Sequence, residues 1–387
     1  MKPLAKRTSF FQSAIFSELA TRKEQLIASD RQMFDLGIGS PDLAPPPSVV
    51  QALQNALHLR RAFGYSDTKG SVAFRSQAAQ YLAHRYGVSV SAQTEVLSLM
   101  GAQDGLSHLP LALVDPGDVV LIPDPGYPIY EVSVHLAGGI PIRMPCLEEN
   151  NFLPDLQAID ENIAKKAKLM VLNYPGNPLA TLAPASFFEQ VIEFAARHQI
   201  VVIHDAAYIE LVFGSTPAPS FLAFPGAKDV GIELHSFSKT FNMAGARIAF
   251  AAGNHEVLRA LHLIKSNVDY GVFSAVQEAA IAALADDTDH IDVMKRVYQK
   301  RRDAFLAPLH KAGWHVREPE ATMFVWAKIP TKESSREFAY RLMDEANVVG
   351  VPGVAFGPLG EGYVRFALVQ PDEYLIEAAS SIARILA

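Results

Sequence analysis

A single cysteine, Cys146, is all the chain has, so it cannot form an internal disulfide or a metal cage built from several cysteines. It also lacks an uninterrupted apolar run of the roughly 18 residues that a membrane-spanning helix requires. Charge is sparse, at 19% Asp, Glu, Lys and Arg, and its formal balance is -7. Lys and Arg nowhere cluster, which argues against a nucleic-acid partner. The N-terminal stretch MKPLAKRTSFFQSAIFSELATRKEQ has early positive charge, but Gln12, Ser13, Ser17 and Glu18 interrupt any signal-peptide core. It reads as an amphipathic helix of a cytoplasmic protein. There are no internal repeats, and APPPS is the only low-complexity segment.

What the chain does have is length and apolar content: 387 residues, 49% of them hydrophobic. That exceeds the usual size of one core and predicts two packed units. Short apolar runs recur, each followed by a turn and a helical pattern: EVLSLM, DVVLIPD, KLMVLNYPG, QIVVIHDAAY and IELHSFS. Alternating strand and helix predicts an α/β fold whose mostly parallel sheet is covered by helices on both faces. SPDLAPPPS at 40–48 reads as a proline-stiffened link. From about residue 286 a long helical pattern runs to Gly313, followed by what reads as a smaller αβ unit. The spacing therefore predicts a large domain over 45–288 and a small α+β domain built from both chain ends, 1–44 and 289–387. A cleft would lie between them.

The polar residues of interest sit just past the apolar runs, where open α/β sheets place their ligands. Asp205 and Tyr208 come from HDAAY, Asn177 from NYPGNP and Tyr127 from DPGYP. Lys239 and Arg247 share SFSKTFNMAGAR. Singly, each has an ordinary structural reading: a solvated lysine, a helix-capping Asp, a turn Asn, a packing Tyr. Together they suit one kind of site. A lysine that condenses with a carbonyl must deprotonate near neutral pH, and partial burial beside other cations favours that. Arg247 would supply such charge and hold a phosphate bidentately. A carboxylate such as Asp205 keeps a pyridine nitrogen protonated, Tyr208 can bond a phenolate oxygen, and Tyr127 can stack on a ring. The cofactor so described is pyridoxal 5'-phosphate. GAQDG, with Ala102 and Gln103 opening a helix, offers backbone N–H groups to its phosphate, and Ser236 and Ser238 add hydroxyls.

These residues, in this order, resemble the class I/II aminotransferases of the aspartate aminotransferase fold. The resemblance runs from GIGSPD at 37–42 to EGYVRFAL at 361–368, and SFSKTFNMAGARIAF is its most specific piece. It implies Lys239 as the lysine that attaches the cofactor, and Ser236, Ser238 and Arg247 as phosphate ligands. Asp205 would be the partner of the pyridine nitrogen, Tyr208 and Asn177 would bond the ring oxygen, and Tyr127 would stack. It also implies a homodimer with shared active sites, Tyr65 of FGYSDTKG reaching the neighbouring subunit's phosphate. Arg365 of YVRFAL, helped by the backbone of Gly39, would bind the substrate α-carboxylate. Two departures stand out: NPLA replaces the family's common Asn-Pro-Thr-Gly, and Ala102-Gln103 replaces a common hydroxyl residue.

The implied reaction is ping-pong transfer of an amino group from an L-amino acid to a 2-oxo acid such as 2-oxoglutarate. Within the family, KSNVDYGVFSAVQEAA and GEGYVRFAL look most like the LL-diaminopimelate aminotransferases and relatives, while aspartate is another candidate substrate. The same cofactor residues also suit a C–S β-lyase. A non-enzymatic effector-binding domain is the third reading; it would need a DNA-binding extension, for which no room is expected before Gly37 or after Arg365.

Overall fold

The computed structural model describes residues 5–11, 14–214 and 216–386. Residues 1–4, 12 and 13 of the predicted N-terminal helix lie outside that range. The described part has a 3-10 turn at Lys6–Phe11 and then a helix over Ala14–Ala28. Twelve strands follow: β1 (Phe34–Asp35), β2 (Val96–Leu99), β3 (Val119–Asp124), β4 (Ile140–Pro145), β5 (Ala167–Leu172), β6 (Val201–Asp205), β7 (Gly231–Ser236), β8 (Ala249–Gly253), β9 (Phe324–Lys328), β10 (Val348–Val349), β11 (Val351–Pro352) and β12 (Tyr363–Ala367).

Seven of them form one sheet in the order β2-β8-β7-β6-β5-β3-β4. Neighbours from β7 to β4 pair in parallel, and β8 alone runs against both β7 and β2. Every residue of β3 and β7 is buried, as their continuous apolar runs require when helices cover both faces. One face packs Phe74, Phe188, Phe237 and Phe250; the other packs Leu99, Leu106, Val134 and Leu258. Local chemistry starts and stops the covering helices. Ser71 caps Val72–Tyr86 by accepting from the Phe74 N–H, and Gly87 ends it at φ 69°. Asn254 caps His255–Val268 in the same way.

Both chain ends contribute to a second assembly. β1 pairs in parallel with β10, and β11, β12 and β9 form an antiparallel sheet. Their core holds Phe34, Leu36, Tyr298, Phe305, Trp314, Phe324, Phe338 and Phe366. The long helix His290–Lys311 packs here against Asp372–Leu386. Among the described residues no helix is long and apolar enough to cross a membrane.

The sheet places Asp124, Asp205 and Ser236 at the carboxyl ends of β3, β6 and β7. These ends open toward β12 and the segment Gly37–Ser40, and a cleft of about 1050 Å³ forms there.

Candidate active site

All the residues singled out in the sequence line this cleft except Tyr65. Lys239 sits in a single helical turn, Phe237–Thr240, directly after β7. Ser236 caps that turn, its Oγ accepting from the Ser238 N–H at 3.2 Å. The short turn makes Lys239 follow β7 without slack. Its Nζ donates to the Gly39 carbonyl at 2.6 Å and lies 5.8 Å from the Tyr208 ring centroid. No carboxylate pairs with it among the described residues. Burial, followed by the guanidinium charges of Arg365 and Arg247, pulls its pKa down to about 8.

Arg247 holds a backbone φ of 52°, in the left-handed region that non-glycine residues avoid. Its Nη1 donates to the Ala244 carbonyl at 3.0 Å. Gly101, at φ 82°, precedes the helix Ala102–Leu113, and a Cβ added there would strike the Arg247 guanidinium. Glycine is therefore required on two counts, and the first turn of the helix, with Ala102 and Gln103, faces the cleft beside that cation.

Asp205 ends β6 fully enclosed. Tyr130 donates to its Oδ2 at 2.8 Å, and the Ala207 N–H to its Oδ1 at 3.2 Å. Burial raises its pKa even so. Asn173 donates to the Asp205 carbonyl at 2.7 Å and accepts from the Asn177 N–H at 2.9 Å. One side chain thus fixes both strand end and turn.

Arg365 projects from the middle of β12, 4% exposed. Its Nη1 donates to Asn177 Oδ1 at 2.9 Å and its Nη2 to the Gly37 carbonyl. The guanidinium lies 4.5 Å from the Phe324 ring and 4.9 Å from Phe356. Its Nε has no hydrogen-bond partner among the described residues. A buried donor left open in this way costs about 1–3 kcal/mol, so it is suited to an incoming anion.

The Aminotransferase class I and II family matches residues 31–382. An LL-diaminopimelate aminotransferase of Oleidesulfovibrio alaskensis is 43% identical over 383 residues, 99% of each chain. Substrate-bound BacF from Bacillus subtilis superposes with a TM-score of 0.95 at 39% identity, over 100% of this chain and 98% of that one. A probable N-succinyldiaminopimelate aminotransferase from Thermus thermophilus gives 0.92 at 36% identity, over 96% and 99%. This chain is a class I/II aminotransferase.

As an aminotransferase it transfers amino groups, and the lyase and effector-domain readings are not favoured. The predicted α/β fold is the one observed. Tyr65 is the one candidate kept out of this chain's cleft: it is 96% exposed and its ring lies 5.8 Å from Tyr270. Four contributors escaped the sequence reading. Tyr130 was passed over as part of the helical pattern after DPGYP. Phe324 and Phe356, which sandwich Arg365, carry no motif at all. Asn173 stands in the stretch that supplied Asn177, so its turn chemistry was a signal for it. The replaced NPLA turn keeps Asn177 in the cleft, with Ala180 at φ 52° where glycine is the easier residue.

Proposed function

We propose that this aminotransferase works with pyridoxal 5'-phosphate and that the cleft residues hold it. The structure offers a fit: a glycine-opened helix N-terminus beside Arg247 for a phosphate, a buried carboxylate at Asp205 for a pyridinium, and Tyr127 lining the cleft for stacking. When bound, the cofactor supplies an aldehyde that condenses with amines and a ring that withdraws electrons from the substrate Cα.

Lys239 anchors the cofactor. Once displaced, its amine would take the proton from the donor's Cα and, in the second half of the cycle, deliver one to the Cα formed from the acceptor. A pKa of about 8 leaves a useful fraction of that amine neutral near pH 7. Asp205 stays paired with the ring nitrogen, while Tyr208 and Asn177 bond the ring oxygen. Ser236, Ser238, Arg247 and the Ala102 and Gln103 amides take the phosphate. Arg365 accepts the α-carboxylate through two parallel N–H···O bonds, with Gly39 closing beside it. A Cβ at Gly39 would meet the Phe324 ring, so the backbone approaches there as closely as glycine allows.

The donor is an L-amino acid and the acceptor a 2-oxo acid, with 2-oxoglutarate the first choice. Similarity to enzymes named for diaminopimelate substrates favours LL-diaminopimelate as donor, with aspartate the next to try. We also place the division between domains at 44/45 and 288/289, the enzyme in the cytoplasm, and a second copy across Tyr65, so that each active site is shared.

The observation that carries this reading is the set of three cations lining one cleft, buried Arg365, half-buried Lys239 and exposed Arg247, gathered without an acid to neutralise the lysine. Incubation with an amino-donor panel and 2-oxoglutarate tests it. Release of the donor's 2-oxo acid, matched by glutamate, supports it; ammonia and pyruvate without glutamate overturn it.

A further inference from the structure

Behind the cleft, on the strand that carries Asp205 and the strand that leads into Lys239, lies a buried polar group that the reaction as described does not use. Glu233 of β7 and His204 of β6 have no exposed surface. Successive strand residues point to opposite faces, so His204 faces away from Asp205 and neither side chain lines the cleft. Glu233 accepts four hydrogen bonds. His204 Nδ1 at 2.8 Å and the Phe221 N–H at 2.7 Å reach Oε2. His235 Nε2 at 2.6 Å and Ser220 Oγ at 2.7 Å reach Oε1. Four donors fill the lone pairs of an ionised carboxylate.

The other nitrogen of His204, Nε2, lies 3.0 Å from the Tyr174 carbonyl, which can only accept. Both ring nitrogens are thus needed as donors, the arrangement of an imidazolium. Around the ring stand Phe188 at 5.2 Å and Phe221 at 6.2 Å, and Glu233 is the one acid in contact with it among the described residues. His235, the other titratable group of the cluster, reaches it only through Glu233.

The Tyr174 carbonyl belongs to the turn that carries Asn173 and Asn177. Asn173 clamps the Asp205 carbonyl and the Asn177 N–H, and Asn177 receives Arg365. A continuous line of bonds therefore runs from Glu233 through His204 to both ends of the site. We infer that His204 and Glu233 are positioning residues for amino transfer: they set the Asn173–Asn177 turn and back Asp205 with a buried His204–Glu233 pair. The His204 end of that pair favours the ionised form of Asp205, opposing its burial. The inference rests on Asp205 and Asn177 serving the cofactor and substrate as proposed above.

The test uses the full chain loaded with pyridoxal phosphate. His204→Gln should lower kcat/KM about tenfold to hundredfold, by misplacing the turn. The KM for the amino donor should rise, because Asn177 meets Arg365, and the pH titration of the bound cofactor's absorbance should shift. Ser220→Ala removes a different donor from the same carboxylate and has no link to the turn, so it should leave all three readouts unchanged. A folded His204→Gln enzyme with unaltered KM, kcat and titration overturns the inference, as does Ser220→Ala moving them equally.

Nitrogen-15 NMR of histidine-labelled wild-type protein decides the matter even if His204→Gln does not fold. One buried histidine should carry a proton on both ring nitrogens, since both of its nitrogens face acceptors. Its absence overturns the inference. Failure of the wild-type chain to bind the cofactor or transaminate would instead overturn the function proposed above, leaving the NMR result intact.

Discussion

Two lysines of this protein are taken out of water and meet opposite surroundings. Lys265, on the helix His255–Val268, has no exposed surface and pairs with Asp104 and with Asp269 at 2.8 Å. Those acids are themselves held, Asp104 Oδ2 by the Met100 N–H at 2.8 Å and Asp269 Oδ1 by the Gly271 N–H at 2.8 Å. With His108 they make a group of metal-ligand type, but the ammonium already occupies it. Lys239 has only a carbonyl to bond and two guanidinia nearby. Burial is common to both. The partners decide whether a buried lysine becomes a rivet or a reactive amine, because paired charge is stable charge and an ammonium among cations prefers to lose its proton.

The comparison breaks most readily at Lys239. Replacing it with Ala should lower turnover by several orders of magnitude, since anchoring and proton transfer vanish together. Borohydride should no longer fix pyridoxal phosphate to the chain. Near-normal turnover would make Lys239 as structural as Lys265. The converse substitution, Lys265→Met, strands two buried carboxylates and should cost about 3–5 kcal/mol in urea unfolding. Its folded fraction should still transaminate. A loss of activity without loss of stability would reverse the assignment.

Arg365→Lys sharpens the role of the like charge. Charge is kept but the two-pronged geometry is lost, so kcat/KM for amino acids should fall about 10²-fold, on the order of 3 kcal/mol. Melting temperature should barely change. Ready unfolding with normal catalysis by the folded remainder would mark Arg365 as a packing residue.

The last effect concerns stability alone and leaves turnover out of account. In the cofactor-free chain, burial lowers the Lys239 pKa from 10.5 to about 8, so the unfolded state binds the proton more tightly. That penalty is full below pH 8 and fades as pH rises toward 10.5. Lys239→Met should therefore raise stability by up to about 3 kcal/mol near pH 7, with a gain that shrinks over the same window. Thermal melts at several pH values measure it, and a gain independent of pH would show that the ammonium was never penalised.

Much of the architecture was readable. Five strands of the seven-stranded sheet were visible as apolar runs, but β4 and β8 were not. IPIRMP carries two prolines and sits at the sheet edge, half exposed, where proline is tolerated and apolar alternation is not needed. Apart from Phe250, AFAAG is made of small residues with weak strand preference, and it becomes a strand by pairing with the neighbours β2 and β7. Tyr65 was read as serving another subunit; in this single chain it is exposed and lies outside the cleft.

The sequence by itself determined the chemistry available: a lysine after a strand, an acid at the end of another, a glycine before a helix. These are local arrangements, set by residue type and by the strand-to-helix rhythm a few positions either side. Only the tertiary structure decided which charges are paired. Asp104 meets Lys265 from 161 positions away, Gly39 meets Lys239 from 200, and Asn177 meets Arg365 from 188. No local pattern encodes such separations. They are set by the order of strands in the sheet and by the second assembly closing over it, and the pKa of Lys239 follows from them.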